Sequence, residues 1–394
     1  MRVRGRSDWP AVVGLVTGGH FLSHFYLLAF PPLFPLWRAE FGLSNTQLGV
    51  VMSVVAAATF LQVPVGSLVD RVGGKPVLVA GVALTGLGVA LVGTARGYYG
   101  ILGFALLSGV GQSAFHPADY PLLDAVAGDR QGRSFGVHTF GGYAGYAAAP
   151  VVVGTAAGAL GWRPVLVIAG AVGLAYALLV GVALGSVHRE RLDAAGDDAA
   201  PEGGPLDAFT PVMGLVLVLY LVLTAATVGV QTFTPILFVD GFGGAKSLGD
   251  ATLTAFFALA AGGVLVGGSL ADRFSPARLM LALTPLAAVA TWIAVGAGAA
   301  VGTLAAAAAL SAVGLCNGLA LPSRDSLVTL AAPGQSVGRS YGVAFTAASV
   351  AQLAAPAALG YVIDVDSVGT AFLLVGGLFL AAGTIAGAVI LAER

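Results

Sequence analysis

The chain has 394 residues, 57% of them apolar and only 9% charged, with a formal net charge of −1. Soluble domains carry about 25% charged residues, so a water-facing surface of this size is excluded. The near-neutral balance also excludes the basic footprint of a nucleic-acid binder. A single cysteine, Cys316, rules out an internal disulfide; no Cys/His metal spacing occurs, and no metal or cofactor is expected.

The apolar residues fall in runs long enough to cross a bilayer as helices, about 20 residues each. The chain opens Met-Arg-Val-Arg-Gly-Arg, and the apolar run that follows is too long for a signal-peptide core and has no small-residue cleavage site. It is therefore predicted to remain as the first membrane helix. Breaks at charged, Gly- and Pro-rich points predict twelve segments. In the first half they run roughly 10–37, 46–69, 76–95, 98–123, 134–160 and 164–185. In the second they run roughly 210–239, 250–271, 277–298, 301–323, 338–362 and 368–391. Between them, 186–208 is the one long polar stretch, with six acidic residues, Pro201 and Pro205, and it reads as a solvated linker. The expectation is an all-α integral membrane protein. A six-helix bundle over 1–185 and another over 209–394 are joined by a cytoplasmic linker.

Lysine and arginine placement sets the orientation. With the N-terminus in the cytoplasm, the inside loops hold Arg2, Arg4, Arg6, Arg71, Lys75, Arg130, Arg133, Arg189, Arg191, Arg273, Arg278, Arg324, Arg339 and Arg394. The outside loops hold Arg38, Arg96, Arg163 and Lys246. This excess predicts a cell-membrane protein with both termini on the cytoplasmic side. Trp9 and Trp37 bracket the first helix as expected interfacial anchors.

The halves repeat. Gly66-Ser-Leu-Val-Asp70-Arg71 recurs 202 residues later as Gly268-Ser-Leu-Ala-Asp272-Arg273. Gly132-Arg-Ser-Phe-Gly-Val137 recurs 206 residues later as Gly338-Arg-Ser-Tyr-Gly-Val343, and Pro150, Gly154 and Asp119 find Pro356, Gly360 and Asp325 at that offset. Two parallel six-helix repeats around a central site are the arrangement this implies.

These residues resemble the major facilitator superfamily over nearly the whole chain. Gly66-Ser-Leu-Val-Asp70-Arg71-Val-Gly73-Gly74-Lys75 is similar to that family's loop between helices two and three; the copy at Gly268 has Phe274-Ser-Pro-Ala-Arg278 in place of the glycines. An Asp at a helix end can accept bonds from a neighbouring helix N-terminus and pair with Arg. Asp70, Arg71, Lys75, Asp272, Arg273 and Asp325 are accordingly expected to form a cytoplasmic latch rather than a substrate site. Gly136, Gly145, Ala149, Pro150 and Gly154 of helix five are similar to the family's antiporter signature. Pro150 and Pro356 are expected to kink their helices, and Gly145 and Gly154, like Gly263 and Gly267 of helix eight, to allow close approach where the halves meet. The arginine that antiporters of this family carry in helix four has no counterpart near Phe104–Leu106. A narrower resemblance, to fosmidomycin-resistance-type drug exporters, rests on Gly19-His20-Phe21-x-x-His24-Phe-Tyr26 and Phe115-His116-Pro117.

Ionisable groups at membrane depth are costly, about 2.5–3.5 kcal/mol on insertion scales, and so are candidates for function. His20 and His24 stand one turn apart, with Thr17 on the same face. Gln112, His116 and Asp119 share a face if helix four stays regular across Pro117 and Pro121. The resemblance brings helices one, four, seven and ten to a central cavity, which adds Thr224, Thr227, Gln231, Asn317 and Arg324. The expected substrate and proton site is therefore His20, His24, Gln112, His116, Asp119, Gln231, Asn317 and Arg324. His138 lies near the inner end of helix five and is set apart. Asp119 and Asp325 are expected to face Arg71 or Lys75, and Arg273 or Arg278. Phe21, Phe25, Tyr26, Tyr143 and Tyr146 could wall an apolar pocket.

Histidine suits proton coupling because its unperturbed pKa is about 6.5. The leading expectation is a monomeric secondary transporter, not an enzyme, that exports a drug or metabolite against protons by alternating access. A proton-coupled uptake symporter for a small organic solute or anion is the alternative, favoured by Arg324 and the missing helix-four arginine. A non-transporting sensor and an intramembrane hydrolase are remote. The latter would rest on Gly111-Gln-Ser113-Ala, which lacks the glycine after the serine.

Overall fold

The computed structural model describes residues 9–184, 210–332 and 337–392. The predicted linker 186–208, and Arg2, Arg4, Arg6, Arg189, Arg191 and Arg394, lie outside the described residues. Among those described every regular element is helical.

The first expected helix divides. α1 (Trp9–Leu27) ends where Pro31 and Pro32 enter a 3-10 turn, and α2 (Phe34–Phe41) restarts beyond it. The second divides likewise into α3 (Asn45–Ala57) and α4 (Gln62–Val72), joined by a 3-10 turn at Ala58–Leu61. Then come α5 (Gly74–Val92), α6 (Tyr98–Gln112), α7 (Phe115–Ala127), α8 (Gln131–Leu160) and α9 (Trp162–Ala183). The second half holds α10 (Pro211–Ile236), running into a π turn at Leu237–Gly241, then α11 (Lys246–Ala271), α12 (Pro276–Ala300), α13 (Thr303–Ala331), α14 (Val337–Val365) and α15 (Val368–Ala392).

Eleven stretches among the described residues are long and apolar enough to span a membrane, one of them the 63 residues Tyr98–Leu160. That stretch is two crossings. In a straight helix the residues from 119 to 138 would rise about 28 Å, yet His138 Nε2 lies 3.1 Å from Asp119 Oδ2. The chain reverses at Gly128, whose φ of 49° a side chain rarely adopts. Pro150 and Pro356 sit inside α8 and α14, each of which continues past its proline.

The chain forms two compact units, one from residues 9–36 and 54–184, the other from 37–53, 210–332 and 337–392. In the first, α1 packs on α8 while α5 packs on α9 and α6. In the second, α10 packs on α14 while α12 packs on α15 and α13. Each unit therefore joins its first long helix to its fifth crossing, and its third to its sixth and fourth, which is the internal repeat seen as packing. Val12, Val16, Leu78, Val82 and Phe115 lie in the core of the first unit. Leu178, Val182, Leu265 and Leu304 are 70–77% exposed, the surface that lipid covers in a bilayer. Trp37 is fully buried, so it is a core residue and not an interfacial anchor. Trp9 is also buried, bonded to Ser134 Oγ at 2.9 Å, with the Arg130 and Arg133 guanidinium carbons each 5.2 Å from its ring.

Within the second unit the α3 N-terminus is capped from α14. Both Asp364 carboxylate oxygens accept bonds: Oδ1 from Asn45 N and Nδ2, Oδ2 from Thr46 N and Oγ1, at 2.6–2.9 Å. Arg38 pairs with Asp240 through two bonds.

Candidate functional site

The ionisable side chains of the first unit collect where α1, α7 and α8 meet. Small residues permit this. A methyl on Gly142 would strike the His20 and His24 rings, and one on Gly145 would strike the Phe21 carbonyl. α8 therefore lies close against α1, and His138, one turn before Gly142, is carried onto the α1 histidines. Its ring stacks on His20 with centroids 3.9 Å apart and 8° between planes. His24 lies 4.1 Å from His20, edge to face, and stacks in turn on Tyr146 at 4.1 Å. His116 approaches His20 at 5.4 Å from α7.

Asp119 is completely buried, and its ion-pair partner is His138, itself 1% exposed. This corrects the expected pairing of Asp119 with Arg71 or Lys75. The donor atoms of His20, His116, Asp119 and His138 all lie within 4.8 Å of one another. His20 Nδ1 is 2.9 Å from the His138 carbonyl oxygen. A carbonyl only accepts, so Nδ1 carries the hydrogen and, in the neutral ring, Nε2 carries the lone pair. His138 was outside the expected site. The signal for it was its i, i+4 relation to Gly142, on the face through which α8 packs on α1.

Gln112 is not in this group. α6 ends at Gln112 and α7 begins at Phe115, so the break at Ser113 and Ala114 removes it from the face of His116 and Asp119. It clasps α1 instead: Ser23 Oγ donates to Gln112 Oε1 at 2.5 Å, and Gln112 Nε2 donates to the Ser23 carbonyl at 2.8 Å. Phe21, Phe25 and Tyr26 line an apolar groove of about 290 Å³ with α8 and α9 residues. Tyr143 and Tyr146 are not among its walls.

In the second unit, Asn317 Nδ2 donates to Thr227 Oγ1 at 3.1 Å, tying α13 to α10, and Gln231 is half-buried on α10. Arg324 bonds its neighbour Asp325 through Nε and Nη2 and lies 4.5 Å from the Tyr220 ring centroid. Tyr220 also donates to Asp325 Oδ1 at 2.7 Å. Asp325 is thus held by Arg324 and Tyr220, which corrects the expectation of Arg273 or Arg278. Asp70 is exposed on the last turn of α4, before Gly73 at φ 89°; Arg71, Asp272 and Arg273 are exposed and Lys75 half-buried. Gly263 and Gly267 of α11 pack against Leu315 and Leu319 of α13, and Gly145 against α1. These glycines pack inside their own units.

An all-helical chain with a lipid-covered surface, an internal six-helix repeat and a buried ionisable cluster is a multi-pass membrane protein of the transporter class. The sequence profile of the Major Facilitator Superfamily matches residues 16–356 and again 216–394, and the chain belongs to that family. It is therefore a secondary transporter of small molecules and not an enzyme. Over 265 residues it is 23% identical to the fosmidomycin resistance protein of Escherichia coli, an alignment spanning 66% of this chain and 65% of that protein. It is 29% identical over 174 residues to a probable sulfoacetate transporter, SauU, of Cupriavidus necator, covering 43% of this chain and 40% of the relative. A bacterial homologue of the human lysosomal transporter Spinster shares the fold, with a TM-score of 0.80 over 99% of both chains at 14% identity.

Proposed function

We propose that the chain exports a small drug or metabolite in exchange for protons by alternating access. Both termini would be cytoplasmic, and two halves, 1–185 and 209–394, would move about the linker 186–208 as a monomer. The observation that carries proton coupling is the buried meeting of His20, His24, His116, His138 and Asp119. Five titratable groups from three helices, with Asp119 partnered by histidine and not by a permanent cation, can take up and release a proton as hydration changes. The fosmidomycin-resistance relative supports export. The second reading, uptake of a small organic anion, draws on Arg324 beside Tyr220 and on the sulfoacetate relative. In both readings Gln231, Asn317 and Arg324 supply the second half's contacts to substrate, Asp70, Arg71, Lys75, Asp272, Arg273 and Asp325 form the cytoplasmic latch, and Gly145, Pro150, Gly154 and Pro356 shape the moving helices.

Flux into proteoliposomes under an imposed pH gradient tests this, with fosmidomycin heading a panel of small compounds pre-screened by thermal shift. Substrate moving opposite to protons supports export, and accumulation on the side to which protons flow supports uptake. His24→Ala and His116→Ala should lose the pH-driven component while the protein remains monodisperse. Wild-type pH-driven flux in both variants removes the cluster from coupling. Asp70→Asn should slow turnover at unchanged substrate affinity; a pure affinity loss contradicts the latch.

A further inference from the structure

The donor set in the first unit is what a transition-metal ion requires. We propose that His20, His116, Asp119 and His138 form a site for one divalent ion of the zinc and cobalt class. Three imidazoles and one carboxylate, drawn from α1, α7 and α8, match the ligand preference of zinc, cobalt, nickel and copper. They do not match calcium or magnesium, which take oxygen ligands.

Geometry supports the assignment in three ways. First, zinc–nitrogen bonds of about 2.0–2.1 Å place tetrahedral ligand atoms about 3.3–3.4 Å apart. The four donor atoms lie within 4.8 Å of one another, so side-chain rotation closes the set without moving a helix. Second, the bond from His20 Nδ1 to the His138 carbonyl fixes the ring and turns out the bare Nε2 lone pair. A backbone carbonyl orienting a ligating histidine through its other nitrogen is a recurrent support of metal sites. Third, His20 Nε2, His116 Nδ1, His138 Nδ1 and Asp119 Oδ1 are buried and form no hydrogen bond within the described residues, and Asp119 Oδ2 has His138 Nε2 beside it at 3.1 Å. Orphaned groups of this kind cost about 1–3 kcal/mol each, and one ion would engage four of the residues together. Among the described residues no Lys or Arg pairs with Asp119 to compete for its carboxylate. The inference rests on this ligand geometry and stands whether or not the cluster carries a coupling proton.

The test is Co²⁺ titration of the purified full chain in nanodiscs, prepared with a tag free of histidine and stripped with EDTA. The wild type should bind one Co²⁺ per chain with the visible absorption of a tetrahedral site. One equivalent of Zn²⁺ should displace it and excess Mg²⁺ should not. Asp119→Asn and His138→Ala should each weaken binding at least roughly tenfold, with monodispersity and helix content checked in parallel. Asp364→Asn, at the α3 cap in the other unit, should leave it unchanged. If His138→Ala does not fold, the isosteric Asp119→Asn carries the comparison. Absence of saturable Co²⁺ binding, equal affinity in the wild type and the folded site variants, or loss of binding in Asp364→Asn overturns the site. Metal binding with no proton-driven flux would overturn the coupling proposal and leave this one standing.

Discussion

Gln112→Ala separates a structural clasp from a substrate ligand. Gln112 and Ser23 are both almost fully buried and exchange two hydrogen bonds across α1 and α6. Each such bond contributes about 0.5–1.5 kcal/mol net in soluble proteins, and interhelical bonds in a membrane protein average about 0.6, with a maximum near 1.7. Two bonds together are therefore worth about 1–3 kcal/mol. The Ser23 hydroxyl left behind can turn to the carbonyl four residues earlier, which holds the loss toward the lower end. At a few degrees per kcal/mol, the unfolding midpoint in detergent should fall by roughly 2–8 °C. Ser23→Ala should cost less, and the double variant should show a positive coupling energy. Substrate affinity, measured on the folded fraction, should be unchanged. A wild-type midpoint together with a large loss of affinity would refute the clasp and restore Gln112 to the binding site.

Two further substitutions probe the packing that holds the site. Asp364→Ala removes four bonds at the α3 N-terminus and should cost about 1–2 kcal/mol, the range for a lost helix cap, with Asp364→Asn retaining part of it; a wild-type unfolding midpoint in Asp364→Ala would contradict the capping role. Gly145→Val drives side-chain carbon into the Phe21 carbonyl, where no flexible group can yield. Overpacking of this kind costs about 1–3 kcal/mol or more, so the yield of monodisperse protein should drop sharply, and a well-behaved variant would show that α1 and α8 lie further apart.

The spans, the repeat and four of the five cluster residues were legible because each signal is local. Apolar runs mark crossings, and a histidine or aspartate inside one stands out. What was not legible depended on how helices break and meet. Gln112 and His116 share a face only in an unbroken helix, and the break at Ser113 and Ala114 changed the partner of Gln112 to Ser23. His138, near a predicted helix end, was set apart from the site, although its spacing to Gly142 placed it on the packing face. Asp364 and Asn45 are 319 residues apart in sequence, and nothing in either segment names the other. Arg324 and Asp325 are neighbours in sequence, and adjacent helical residues do not normally face each other; the long guanidinium reaches back regardless.

The repeat sharpens the assignment of exchange chemistry to the first half. Asp119 and Asp325 are equivalent, 206 residues apart, and each lies on its half's fourth crossing. Their partners differ. Asp325 is held by Arg324, a group that stays charged at every working pH, and by the Tyr220 hydroxyl. Among the described residues Asp119 pairs with the His138 imidazole and has those of His20 and His116 beside it, and the positions corresponding to His116 and His138 in the second half are Pro322 and Ala344. Binding a proton or metal ion at Asp325 would leave a guanidinium without its counterion in a half-buried site, which opposes it. Binding at Asp119 strands no permanent charge, because the neighbouring imidazoles can lose theirs. On the proposed reading one duplicated aspartate is fixed and the other exchangeable, which directs the search for a cation that cycles during transport to α1, α7 and α8.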